Sequence, residues 1–250
     1  MQHPVVSQEE WLTARRALLA KEKQLTRQRD QLSAERRKLP WVRIDKPYVF
    51  DGPGGKATLA DLFDGRSQLV IQHFMFGPDW EEGCVGCSFG ADHVDAARLH
   101  FEHRDLSFAA VSRAPLAKIE AFRRRMGWRF PWVSSLGSDF NYDFNVSFTK
   151  DQLVRGKVSY NYELVDSQSE DLSGISLFYK DESGAIFHTY STYGRGDELL
   201  STAYMYLDLA PRGRDEEGLP FPSAWWRHHD KYEDARPQAA SCCASEPKRR

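Results

Sequence analysis

The sequence predicts an α/β protein: one central mixed sheet flanked by helices, with a long helix ahead of it and an aperiodic extension behind. Three observations predict this class. Short apolar runs alternate with amphipathic stretches between residues 68 and 134 in the order β-α-β-α-β. Two β-rich runs around Asp181-Glu-Ser-Gly184 follow as a hairpin signature and lead into a last helix. Ahead of all these, Trp11, Leu18, Leu25, Leu32 and Leu39 recur every seven residues. The divisions fall at 1–40 for a helical arm, 41–211 for the α/β domain and 212–250 for the extension.

The arm is expected as one helix over 7–39. Ser7-Gln-Glu-Glu10 fits a capping box, in which the Ser and Glu side chains satisfy free backbone donors, and Pro40 is a stop. Its stripe is narrow, because a coiled coil needs two apolar positions per heptad and this one has one. A homodimer through the arm and a helix laid across its own domain therefore both stay open.

Residues 41–64 read as strand-like and turn-rich, with Asp51-Gly-Pro-Gly-Gly55 as a loop. Gln68–Phe76 is a buried-strand candidate, and the stretch from Cys84 to about Glu102 reads as one helix. Leu106–Ser112 is the second strand. Pro115 opens a helix whose Leu116, Ile119, Phe122 and Met126 form a stripe, closed by Gly127. Its Arg123, Arg124 and Arg125 read as a solvated face. Phe130–Ser134 is a further strand, Gly174–Lys180 and Ala185–Tyr190 form the hairpin, and Asp197 is read as the cap of a final helix through Leu207. Asp139–Asn145 mimics a calcium loop, but Phe144 and Lys150 stand where Gly and Glu are required, so an EF-hand is rejected.

Lys+Arg 34 against Asp+Glu 36 gives a net charge of −2, which offers no broad basic field for a phosphate backbone, so no nucleic-acid partner is expected. The longest apolar stretch, Leu69 to Phe76, is far short of a bilayer span and contains a histidine. No membrane association is expected, and with no secretory signal in the first residues the expected compartment is a reducing cytoplasm. There, four cysteines placed as Cys84-Val-Gly-Cys87 and Cys242-Cys243 suit redox or metal chemistry better than a disulfide framework.

The Cys84-Val-Gly-Cys87 motif stands between the most apolar strand and a helix start. A cysteine there faces the positive end of the backbone dipole, which favours its thiolate and makes Cys84 the candidate nucleophile. Cys87, one turn on, is the candidate resolving thiol. Glu81 and Glu82 precede the motif and are expected to oppose thiolate formation. His73, inside the strand, is the candidate proton-transfer residue, since a dithiol needs a nearby base. The same cysteines could instead serve as zinc ligands with His73 and His93, or as inert buried thiols. No cofactor and no metal is expected. His228-His229-Asp230 reads as a partly ordered surface segment, and Cys242-Cys243 as incidental to the main pair.

Several segments carry a resemblance: Tyr48-Val-Phe-Asp-Gly-Pro-Gly-Gly-Lys56, His73-Phe-Met-Phe-Gly-Pro-Asp-Trp80, Gly83-Cys-Val-Gly-Cys-Ser88, Arg125-Met-Gly-Trp128, Pro131-Trp-Val-Ser-Ser135 and Asp139-Phe-Asn-Tyr-Asp-Phe144. Together they resemble a bacterial thioredoxin-like family, domain of unknown function 899, whose members are described as predicted dithiol-disulfide oxidoreductases. The resemblance implies a thioredoxin-like fold of the extended, peroxiredoxin-like kind and thiol-disulfide exchange on an unknown disulfide or thiol substrate with an unknown electron donor. It implies Cys84 as the attacking cysteine, Cys87 as the resolving one, and His73 roughly where thioredoxins place a buried carboxylate. Two departures stand out. Gly174 occupies the place of the thioredoxin cis-proline, and Pro78 to Cys84 does not follow the peroxiredoxin Pro-Thr/Ser-Cys pattern, which leaves hydroperoxide reduction as a lesser alternative beside a metal-binding module.

Overall fold

Gln68–His73 (β4) is the strand on which the architecture is built, and the reason is its composition. Leu69 and Ile71 on one face are wholly buried, and the strand is hydrogen-bonded on both edges along its full length. In the computed structural model, which describes residues 3–232, it pairs in parallel with Leu106–Ser112 (β5) and antiparallel with Gly174–Lys180 (β9). The other strands are Val42–Ile44 (β1), Val49–Gly52 (β2), Gly55–Thr58 (β3), Trp132–Ser134 (β6) and Ile186–Tyr193 (β10), and the sheet order is β1-β10-β9-β4-β5-β6-β2-β3. A separate hairpin of Lys157–Tyr160 (β7) and Glu163–Asp166 (β8) completes the strands.

The chain divides between Trp41 and Val42 into two compact units. The first is a helix, Gln8–Arg36 (α1). Both bonds of the capping box are present, with the Glu10 backbone N–H donating to Ser7 Oγ and the Ser7 backbone N–H donating to Glu10 Oε2. The helix ends before Leu39 and Pro40, in a short turn. None of its residues is buried.

In the second unit the stretch after Cys84 is two helices, Val85–Ala91 (α2) and Val94–Glu102 (α3), rather than one. The break falls just after Gly90, a poor helix former, where Asp92 accepts from Trp128 Nε1 and His93 Nε2 accepts from the Ala203 N–H. Leu116–Arg125 (α4) ends at Gly127, whose φ of +67° suits glycine. Two short helices, Phe140–Asp143 (α5) and Lys150–Val154 (α6), lie in the connection before the separate hairpin. The calcium-loop mimic is thereby explained: Asp139 and Asp143 accept from Lys46, while Phe140 and Phe144 enter the core. The final helix is Thr202–Leu209 (α7). Asp197 does not cap it but lies in a preceding 3-10 turn, Gly194–Leu200.

Strand alternation sorts the interior into two layers. One face packs Leu69, Ile71, Ala109, Val111, Phe178, Phe140 and Phe144. The other packs Phe108, Ala110, Ile119, Phe122, Trp128, Trp132 and Cys87. Residues 72 and 73 therefore serve opposite layers.

Candidate active site at the Cys84-Cys87 loop

Ten residues join His73 to Cys84, and they are pinned rather than loose. Phe74 and Phe76 are buried anchors, and the Cys84 N–H donates to the Met75 carbonyl at 2.9 Å. Lys118 Nζ donates to the carbonyls of Pro78 and Trp80, each at 3.0 Å. Gly83 is required by close approach, since a Cβ there would stand 2.7 Å from a Phe74 ring carbon and 2.8 Å from one of Phe122. Cys84 becomes the residue that caps α2, with extended backbone angles and its carbonyl accepting from both the Ser88 N–H and Ser88 Oγ.

The two thiols occupy unequal environments. Cys84 is half-buried, whereas Cys87 is 5% exposed and belongs to the core layer. The neighbouring Cys87 side chain holds the Cys84 thiol down, to about 6; burial opposes this, and the backbone N–H groups of Cys87 and Gly86 assist it. The Cys87 thiol is pushed up by its Cys84 neighbour and by burial, with the Asp197 charge adding to it. Met75 N–H points at Cys87 Sγ at 3.4 Å, and Gln72 Nε2 donates to the Cys87 carbonyl at 3.1 Å.

The structure does not bring His73 to this pair. Its ring lies in the opposite core layer, stacked on Phe140 and 5.5 Å from the Phe144 centroid, with Nε2 on Ser176 Oγ at 2.8 Å. It is 1% exposed, and burial pulls its pKa to about 3. The reason is the period of two in a strand: an odd step from Gln72 changes faces. The titratable residue that shares a cavity wall with the thiols is Asp197, whose carboxyl is raised to about 6 by burial. Its Asp-Glu pair following Gly194-Arg-Gly196 reads as a helix start in sequence, which masked it.

Asp197, Cys84, Cys87 and Gln72 share the wall of a cavity of about 330 Å³ with Phe89, Phe108, Tyr204 and Trp226. Gly174 lies at its edge, pairing with His73 and followed by Ile175, so the place of the thioredoxin proline is filled by a residue without a side chain. The space is taken by the Tyr193 ring, 2.6 Å from where a Cβ would stand.

The chain from Trp225 to Lys231 packs over the loop, contrary to its reading as a partly ordered surface segment. Trp226 stacks parallel on Phe89 at 4.8 Å between centroids, and its ring edge would meet a Cβ on Gly86 at 2.8 Å. His228 is buried, with Nε2 on the Gly83 carbonyl at 2.8 Å. Lys231 and Arg125 both bind Glu82, at 2.7 and 2.5 Å, and hold its carboxyl below the usual range. Glu82 is thus neutralised by its partners rather than left to oppose a thiolate. Arg125 also forks onto Asp230, so one of the three arginines read as a solvated face is a clamp. Among the described residues no group of three or more His, Cys, Asp or Glu is arranged to hold a metal. Nor is any helix long and apolar enough to cross a membrane. Cys242 and Cys243 lie outside the described residues.

The segment β10-β9-β4-β5 has the order and directions of the thioredoxin fold, with its third strand antiparallel to the others, and Cys84-Val-Gly-Cys87 begins the helix that follows its first strand. This is a thioredoxin-like protein with an extended sheet. The chain belongs to a bacterial family of unknown function, DUF899, whose profile matches residues 1–232. No protein of curated function matches its sequence. Among solved structures it is similar to a peroxiredoxin Q of Xanthomonas campestris, at 16% identity and a TM-score of 0.44 over 67% of this chain and 96% of that one. It is also similar to the peroxidoxin BcpB of Mycobacterium tuberculosis, at 15% identity and a TM-score of 0.42 over 66% and 95%.

Proposed function

We propose that the protein performs thiol-disulfide exchange, with Cys84 attacking and Cys87 resolving. The observation that carries this reading is the placement of half-buried Cys84 at the start of α2 with Cys87 one turn on in the core layer, which sets a more accessible thiol beside a sheltered one. Cys84 thiolate attacks one sulfur of a substrate disulfide, the substrate S–S bond breaks, and the first thiolate leaves. Cys87 then loses its proton, for which we assign Asp197 in the wall of the same cavity as acceptor, and attacks Cys84 Sγ. The second substrate thiolate leaves, the substrate has gained two electrons and the protein has become a disulfide. A cytoplasmic setting, with a thiol donor returning the pair to its reduced form, suits this cycle.

Trapping tests the reading in a Cys242→Ser/Cys243→Ser background. Cys87→Ser is expected to accumulate a mixed disulfide on Cys84, seen as one adduct by intact mass, while Cys84→Ser accumulates none. A protein in which mild oxidant never joins Cys84 to Cys87 overturns it. We further propose that α1 pairs with a second copy along its seven-residue stripe, because Trp11, Leu18 and Leu25 are each about half exposed. Light scattering that gives a monomer mass for the full chain refutes that pairing.

A further inference from the structure

The wall of the cavity beside Cys84 carries Arg195, Glu198 and Asp197; Arg195 and Glu198 pair with each other at 2.8 Å, which leaves Asp197 as the carboxylate without a cation. Asp197 is half-buried in its wall and makes no ion pair among the described residues: Arg195 is taken by Glu198, and Arg214 by Glu198 and Asp208. The same wall carries Phe89, Phe108, Tyr204 and Trp226, whose hydrocarbon solvates a carboxylate poorly; Tyr204 already holds the Arg214 guanidinium over its ring, and Phe89 and Trp226 are stacked on each other. A cationic group entering the cavity offsets both deficits at once.

Size restricts the substrate further. About 330 Å³ lies at the small end of small-molecule sites. Trp226 and the clamp of Glu82, Arg125, Asp230 and Lys231 stand over the cysteine loop, where a protein substrate would have to lay its own chain. Resting on the exchange reading above, we infer that the substrate is a small disulfide carrying an ammonium group on a short apolar arm, its cation beside Asp197 and one sulfur at Cys84. The chemistry is that of the exchange cycle: two electrons pass from the Cys84-Cys87 dithiol to the substrate, which leaves as two thiols.

Three disulfides of similar size test this on the reduced full-length protein: cystamine as the cation, bis(2-hydroxyethyl) disulfide as the neutral form and dithiodiglycolate as the anion. Formation of the Cys84-Cys87 bond is followed by quenching and alkylation, and each rate is divided by that of free dithiothreitol, which removes differences in leaving-group chemistry. Cystamine is expected to exceed dithiodiglycolate at least tenfold, with the neutral compound between them. In Asp197→Asn that ratio is expected to fall at least fivefold; because it compares two substrates on one protein, loss of a proton acceptor cancels. An anion as fast as the cation, a ratio unmoved by Asp197→Asn, or insulin reduced faster than cystamine overturns the inference while leaving exchange intact. Failure of diamide, which needs no docking, to join the two cysteines instead defeats the exchange reading itself.

Discussion

Replacing Cys87 by alanine removes the side chain that most strongly favours the Cys84 thiolate, an influence of the size of one hydrogen bond to a charged group. A hydrogen bond to a charged group contributes about 1.5–3 kcal/mol, and about 1.4 kcal/mol corresponds to one pH unit of midpoint. With the Cys84 thiol at about 6 in the intact pair, the midpoint in Cys87→Ala is expected to rise to roughly 7–8, held short of the free-thiol value by the Gly86 backbone N–H and the helix end. The sign follows from an acid whose folded-state pKa is depressed: the thiolate persists down to the folded midpoint and is lost as pH falls through it. Alkylation by iodoacetamide between pH 4 and 10, followed by the mass of the Cys84 peptide, reads both midpoints. A variant that titrates within half a unit of wild type refutes the claim that Cys87 activates its neighbour and leaves the backbone donors as the cause.

Asp197→Asn is expected to stabilise the protein at pH 7 by about 2 kcal/mol in urea denaturation, and not at pH 3, because a carboxyl raised to about 6 costs stability as pH rises from its unfolded value through 6. Equal effects at both pH values would contradict this. His228→Ala should cost about 1–3 kcal/mol, since it strips the Gly83 carbonyl of its partner and empties a buried site against Phe122; unchanged urea midpoint would show that the segment is not anchored there. Gly83→Ala should destabilise by about 1–3 kcal/mol through collision with Phe74 and Phe122, measured by thermal unfolding, and a neutral outcome would mean that the loop shifts freely. Breaking the buried Arg113-Asp171 fork with Arg113→Ala should cost about 3–5 kcal/mol in the same assay, as it leaves the buried Asp171 carboxylate with Ser147 Oγ as its one remaining side-chain donor among the described residues.

Local signals carried much of this architecture. Leu106–Ser112 and Gly174–Lys180 appear as strands at the residues where apolar run and turn chemistry put them, and the capping box at Ser7 forms as the side chains require. The candidate thiols were legible because a Cys-x-x-Cys after an apolar strand is a pattern of adjacent residues. What escaped depends on distance along the chain. Asp197 and Trp226 join the cavity wall of the cysteines from more than a hundred residues away, and neither segment carries a local mark of it. Buried His228 looked like surface because its partner, the Gly83 carbonyl, is backbone and leaves no trace in composition. His73 was placed at the right strand end but on the wrong side, an error of one residue in a structure that alternates by two.

Gly174 has a consequence for any attempt to give this protein the docking edge of a thioredoxin. A proline there would drive its ring into Tyr193, and Tyr193 is not free to retreat, since its hydroxyl donates to the Phe144 carbonyl and its ring borders Tyr160 and Tyr162. Installing the imino acid therefore demands at least one compensating truncation behind the sheet. A lone change strands the protein on an overcrowded intermediate, so the two designs are separated by a steric barrier rather than a gentle slope.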